Sequence, residues 1–361
     1  MNPSVSPSAN VKMVQQPPQL GALLSGWLST GLLFVAGQSV YSYGALAGFL
    51  IAGAFFTGFL LAIPFFLYKP KQTKSPSLLM RLAAQIAVLE SMCIPLIVLI
   101  LLTNTSIAVT PAPIVFLTVF AAGVLGLGLV WRKQRERVIL LHALLILGAA
   151  IILPSYVYLQ KGLETVYHNL LHYYPRYLHI DQDGAWPFYA LMTLIFFSKL
   201  RLTAERIHAE GTAEQRLRGL AAGALLWATV VLAFSTMTVV AVNYMSLPDP
   251  NRMLSAMLAR QEGKIVLLPV LGGLMLSAGI ELGRAWEQSY AERKPLRIVI
   301  VVLAFALAGV SYRLGVPLLA VFLGFGVVLT LCTLLLLPRY FYHLDIKTVK
   351  LRINSIFKIF L

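Results

Sequence analysis

Ten long apolar runs, separated by gaps in which basic residues alternate between many and few, constrain this chain more than any other feature of it. The runs lie at about 20–42, 45–68, 78–102, 112–131, 138–160, 186–202, 219–245, 265–283, 297–312 and 316–337. A bilayer core of about 30 Å takes about 20 apolar residues per helix, and most of the runs reach that length. Most of the 29 lysines and arginines fall in the N-terminal tail, the C-terminal tail and the gaps after runs two, four, six and eight. Lys199 and Arg201 are counted with the gap after run six. The other gaps hold only Lys161, Arg176, Arg252, Arg260, Lys264 and Arg313. Cytoplasmic loops are the lysine- and arginine-rich ones, so the pattern predicts an all-α polytopic membrane protein of ten transmembrane helices with both termini cytoplasmic.

Composition excludes the alternatives. At 58% hydrophobic and 12% charged, with mean hydropathy +0.80, the chain is suited to lipid as its solvent. The net charge of +15 therefore calls for no nucleic acid, since an anionic inner leaflet is partner enough for basic residues at the cytoplasmic face. Cys93 and Cys332 both lie inside spans and suggest neither a disulfide nor a zinc site. We expect no metal and no cofactor.

Three regions follow: a disordered cytoplasmic tail over 1–19 with four prolines and no signal-peptide core, a transmembrane domain over 20–338, and a basic tail over 339–361. In that last tail Ile346, Val349, Ile353, Ile356 and Phe360 repeat at helical spacing between Lys347, Lys350, Arg352 and Lys358, which predicts an amphipathic helix on the inner leaflet. Helix starts are marked by Ser75-Pro76 and Thr110-Pro111 and by Thr212 with Gln215. Asp249-Pro250 to Gly263 reads as a short extracytoplasmic helix. Ten spans with an intracellular N-terminus permit two halves of five, the second entering from the opposite face: the inverted-repeat plan of many secondary transporters, with the binding site near the midplane.

Polar residues at membrane depth supply the candidate site. Glu90 lies twelve residues past Leu78, about 18 Å along a helix, and an acid at that depth is a functional candidate. Its bland alternative is a carboxyl bonded to Gln85, Ser91 or a hydroxyl on another helix. Ser29, Thr30 and Gly31 sit at half depth in run one, where an unwound turn would offer backbone groups to a ligand; small residues also serve close helix packing, the better reading for glycines 44, 48, 53 and 58 and for Gly279 and Gly283. Ser277 lies at a similar depth in run eight, and Thr193 in run six. Glu281 is expected to pair with Arg284 at the interface. His142 and Asn243 lie near helix ends. His168, His172, His179, Asp181 and Asp183 cluster in the loop after run five, which reads as an outer interfacial loop, with metal binding through the i, i+4 pair His168 and His172 as the alternative.

With spans and loops in place, the chain resembles the spore-germination permeases, a family of the amino acid/polyamine/organocation superfamily. The resemblance rests on Gln19-Leu20, Ser29-Thr30-Gly31-Leu32-Leu33, Ser77-Leu78-Leu79, Thr110-Pro111, the basic link from Arg132 to Arg137, and the stretch from Leu170 to Pro175. The chain departs from the family pattern at Ile265-Val266-Leu267-Leu268-Pro269, where an acidic-basic cluster is usual, and in run six, which has no glycine between Phe188 and Leu202. A more distant likeness to sodium:solute symporters is carried by Gly162-Leu163-Glu164-Thr165-Val166-Tyr167. The resemblance implies a ten-helix transporter fold, a small polar solute such as an amino acid or sugar bound between helices one, three, six and eight, and service as the permease-like subunit of a spore germinant receptor with two other subunits in the inner spore membrane. Ser29, Thr30, Gly31 and Glu90 would then contact the solute, with Thr193 and Ser277 closing the site. Two alternatives remain open: a proton- or sodium-coupled uptake carrier in the bacterial cytoplasmic membrane, and a membrane enzyme acting on a lipid-linked substrate through the His/Asp loop. Glu90→Gln is expected to change the solute response or its pH dependence; a response unchanged in both would remove Glu90 from the site.

Overall fold

The computed structural model describes residues 28–67, 78–109, 113–131, 134–173, 175, 184–207, 213–243, 251, 264–289 and 294–343. The regular elements among them are α-helices: α1 (Gly31–Tyr43), α2 (Ala47–Leu67), α3 (Leu78–Val109), α4 (Pro113–Trp131), α5 (Arg135–Lys161), α6 (Leu163–Tyr173), α7 (Ala185–Ile207), α8 (Ala213–Asn243), α9 (Lys264–Ser289), α10 (Lys294–Arg313) and α11 (Leu318–His343). Stretches in α2, α3, α5, α10 and α11 are long and apolar enough to cross a membrane, so the protein is an all-helical, membrane-embedded one. In α7 the apolar stretch is interrupted by Lys199 and Arg201.

Every apolar run meets a helix, and α3, α4 and α8 are described from Leu78, Pro113 and Ala213 onward. The caps expected before them, the 249–263 segment apart from Asn251, and the two tails lie outside the described residues. One difference is α6, expected as part of a loop. Val166 and Leu170, four residues apart, are buried while Leu163, Tyr167 and Leu171 are exposed, an amphipathic helix packed on α8.

Packing is organised around a few intimate pairs. Helix α2 lies along α7 and also touches α8; α1 lies along α8; α3 packs on α9, α10 and α11; α9 also packs on α4 and α5, and α7 on α11. Small residues set the closest approach. A Cβ on Gly58 would stand 2.9 Å from the Phe197 nitrogen and 3.0 Å from the Thr193 carbonyl oxygen, so α2 presses on the backbone of α7 itself. Gly48 packs against the side chain of Ser235 in α8, and Gly279 meets Val124 at 3.2 Å, whereas Gly283 faces open space. Gly44 is outside α2, at φ 85, where the chain turns from α1. Above this contact Phe55 stacks on Trp227 with centroids 3.9 Å apart, and Phe196 meets Trp227 edge-on at 5.1 Å. These rings knit α2, α7 and α8 into one unit.

Because the obstruction at Gly58 is backbone, a larger residue cannot be accommodated by a rotamer change. Gly58→Val is expected to lower stability by about 1–3 kcal/mol, read as an earlier unfolding midpoint in detergent, while Gly283→Val should leave the midpoint near that of the parent.

Candidate solute cavity

A cavity of about 240 Å³ opens inside the bundle, walled by residues of α1, α2, α3, α7, α8, α9 and α11. Its charged groups are Glu90, Lys199, Glu281 and Arg284, and its aromatic ones Phe55, Phe196, Trp227 and Phe322.

The start of α1 determines one wall. Leu28 and Ser29 are non-helical, Thr30 is a turn and the helix begins at Gly31, in the middle of an apolar run. Backbone amides at a helix start have no intrahelical acceptor, and inside a membrane protein an unmet amide is costly. The Thr30 side chain makes no cap hydrogen bond. Instead the Thr30 N–H donates to Glu281 Oε1 at 2.6 Å and the Ser29 hydroxyl to Glu281 Oε2 at 2.8 Å. The carboxylate of α9 thus caps α1, where the positive end of the helix dipole favours it. Gly31 N–H donates to Ser29 Oγ at 3.1 Å, and the amides of Leu32 and Leu33 to the carbonyls of Ser29 and Thr30.

Behind this cap stands His142 of α5, fully buried. Its Nε2 lies 3.2 Å from the Leu28 carbonyl oxygen, which can only accept, so Nε2 carries the proton; Nδ1, 2.6 Å from Ser277 Oγ, then accepts from that hydroxyl. Nε2 is also 3.9 Å from Glu281 Oε1. One network therefore joins α1, α5 and α9.

The opposite wall carries an ion pair between Glu90 of α3 and Lys199 of α7. The Glu90 side chain is 9% exposed and that of Lys199 25%, and the Lys199 ammonium sits 3.7 Å from the centre of the Phe322 ring, a cation–π contact strengthened by low exposure. Nearby, Pro95 has no N–H to give the Ser91 carbonyl, and both residues line the cavity. The far end of α1 is closed by Gln38, whose Nε2 donates to Asn251 Oδ1 at 2.7 Å and whose Oε1 accepts from the Leu319 N–H at 2.7 Å.

Of the residues expected in the site, Ser29, Gly31 and Glu90 line the cavity, and Thr30 joins it through Glu281. Ser277 lies behind it on His142, and Thr193 is on the α2-facing side of α7, its hydroxyl donating to the Tyr189 carbonyl at 2.9 Å. Glu281, expected at the interface beside Arg284, is 9% exposed and caps α1, with Arg284 still acting on it. Glu90 has a lysine for a partner rather than Gln85 or Ser91, whose hydroxyl donates to the Val88 carbonyl. Lys199 and Arg201 move from the cytoplasmic gap into the bundle: Arg201 is 2% exposed and donates to the Thr333 carbonyl of α11 at 3.0 Å. His168 is exposed, 3.9 Å from Glu164; His179, Asp181 and Asp183 lie outside the described residues. Sequence reading missed Lys199 and Trp227 as site residues and undervalued His142. The signal for Lys199 was a cation directly following an apolar stretch, answered by the lone acid deep in another span.

No family model matches the chain, and no curated protein matches it.

Removing one partner of a low-exposure ion pair strands the other. Glu90→Gln and Lys199→Met are each expected to lower stability, and the double substitution to lower it less than their sum, with a coupling of roughly 0.5–3 kcal/mol. Unfolding midpoints of the four proteins check this; strict additivity would mean the pair is not formed.

Proposed function

We propose that this protein is a transporter-fold membrane protein that binds a small polar solute in the cavity between α1, α3, α7, α9 and α11. The observation carrying this reading is a mixed polar and aromatic cavity built on the irregular start of α1 within an apolar run, where two carboxylates, a lysine and an arginine meet. Small-molecule sites combine apolar walls with a few fixed polar groups in this way.

The helix pairing supports the ten-span inverted repeat. With the amphipathic α6 set aside, matching α1 to α5 with α7 to α11 sends the pair α2 and α7 onto α8 and α1, α3 and α10 onto α9 and α4, and α3 and α11 onto α9 and α5. The pairs α2 with α8 and α3 with α9 map onto themselves. All of these are contacts, as two five-helix units related by a pseudo-two-fold axis would give, while α7 with α11, α5 with α8 and α1 with α2 have no mapped counterpart of similar extent. Orientation follows from the basic gaps. Ala87 near the start of α3, Thr203 near the end of α7 and Gln288 at the end of α9 line the cavity at its basic side, and Gln288 is exposed. On the positive-inside bias the cavity faces the cytoplasm, with the Gln38 bridge closing the other side.

The resemblance to spore-germination permeases makes the role one of solute sensing within a germinant receptor. A second reading, a proton-coupled carrier, is favoured by the contact of His142 and Glu281 beneath the start of α1, since intramembrane histidine and acid neighbours suit proton relays. Ala87→Phe fills the cavity from α3. It is expected to weaken solute binding by at least about ten-fold in a thermal-shift screen of small polar solutes while the protein still folds; binding untouched by it places the site elsewhere. In proteoliposomes, accumulation against a gradient identifies a carrier, and binding without accumulation a sensor.

A further inference from the structure

Both seats that a zwitterion would use are occupied by the protein's own charges. At the start of α1 each amide from Thr30 to Leu33 already has a protein acceptor, the Thr30 amide being held by the Glu281 carboxylate. A solute carboxylate arriving there finds no amide without a bond. At the other wall, the place where a solute ammonium would find an acid beside an aromatic face holds the Lys199 ammonium, on Glu90 and over Phe322. Arg284, one turn along α9, acts on Glu281, and Lys199 is paired with Glu90, so each base beside the space already answers an acid. An extra charge brought in would be desolvated without a partner of its own. What the cavity offers a solute is hydrogen bonding and apolar surface: the Glu90 carboxylate, the Ser91 carbonyl that Pro95 cannot bond, the Thr203 hydroxyl and the Gln288 amide, and the walls formed by Phe55, Trp227 and Ile94.

We propose that Lys199 and Glu281 are built-in counter-charges that make this cavity select an uncharged, hydroxyl-bearing solute and reject zwitterions and organic ions. The proposal rests on the reading of the cavity as the solute site. Hydroxyl groups of such a solute donate to the Glu90 carboxylate and to the Ser91 carbonyl, while its C–H face lies against the rings. The volume of about 240 Å³ is below the roughly 300–1,000 Å³ of pockets for drug-sized ligands, and suits a monosaccharide-sized polyol.

The test uses the full chain in lipid nanodiscs and the heat-unfolding midpoint, with glucose, myo-inositol, glucosamine, gluconate and leucine as probes. In the parent protein glucose or myo-inositol is expected to bind about ten-fold or more tighter than the three charged probes. In Lys199→Ala, glucosamine is expected to gain at least about ten-fold, its ammonium taking the vacated place on Glu90. Leucine, glucosamine or gluconate binding the parent as well as the neutral probes overturns the proposal, and if Ala87→Phe abolishes that binding the solute-site reading stands without it. No binding by any of the five probes to parent or variant overturns both. Should Lys199→Ala fail to fold, the ranking on the parent protein decides alone.

Discussion

The bond between the Glu281 carboxylate and the start of α1 is the contact on which the rest of the site depends. An apolar run that would otherwise continue as helix is irregular at Leu28 and Ser29, and the amides exposed by that irregularity need acceptors in a place where water is scarce. Two oxygens from α9 answer the Thr30 amide and the Ser29 hydroxyl, and His142 from α5 answers the Leu28 carbonyl. The polar demand of one backbone break thereby fixes the relative position of three helices. The cavity is the space left beside that junction, since Leu28, Ser29, Gly31 and Glu281 all contribute to its wall.

The Glu90–Lys199 pair does for α3 and α7 what the Glu281 cap does for α1 and α9. Neither charge lies at the surface, and each alone would be costly to hold at that depth. Paired, and with the ammonium against Phe322, they tie α3, α7 and α11 around the same space. Ser198 with Thr330 and Arg201 with the Thr333 carbonyl extend the polar contact between α7 and α11. Glycines make this possible: the closeness of Gly58 to the α7 backbone and of Gly326 to Ile195 brings the helices near enough for short side chains to reach.

What could be read in the sequence was what depends on neighbours along the chain. Apolar length gave the helices, each of the ten runs meeting one. At the half-depth Ser29-Thr30-Gly31 step Ser29 and Thr30 are non-helical, while Gly31 opens α1 and packs closely on Ile94; Glu90 lies on the cavity wall. Partnership was not legible, because it joins residues far apart in the chain. Thr30 and Glu281 are separated by 251 positions and Glu90 and Lys199 by 109, and nothing in local spacing tells an acid which of several distant donors it will meet. For Glu281 the spacing shows Arg284 at i, i+3, which does act on it, but not the distant amide and hydroxyl that it caps. Lys199 was assigned to a loop because a cation near the end of an apolar run ordinarily reaches for the interface. Here it turns inward instead, drawn by the one acid that needs it.

Helix α1 is held at both ends by polar contacts of different kinds. At its start the acceptor is a carboxylate on α9, with a histidine close by; near its other end Gln38 bridges Asn251 and the Leu319 amide at the start of α11. The bonds at the second end are between neutral groups and are worth about 0.5–1.5 kcal/mol each, whereas a bond to a charged acceptor is worth about 1.5–3 kcal/mol. Any opening of the cavity toward the Gln38 side would thus break the weaker set and keep the stronger.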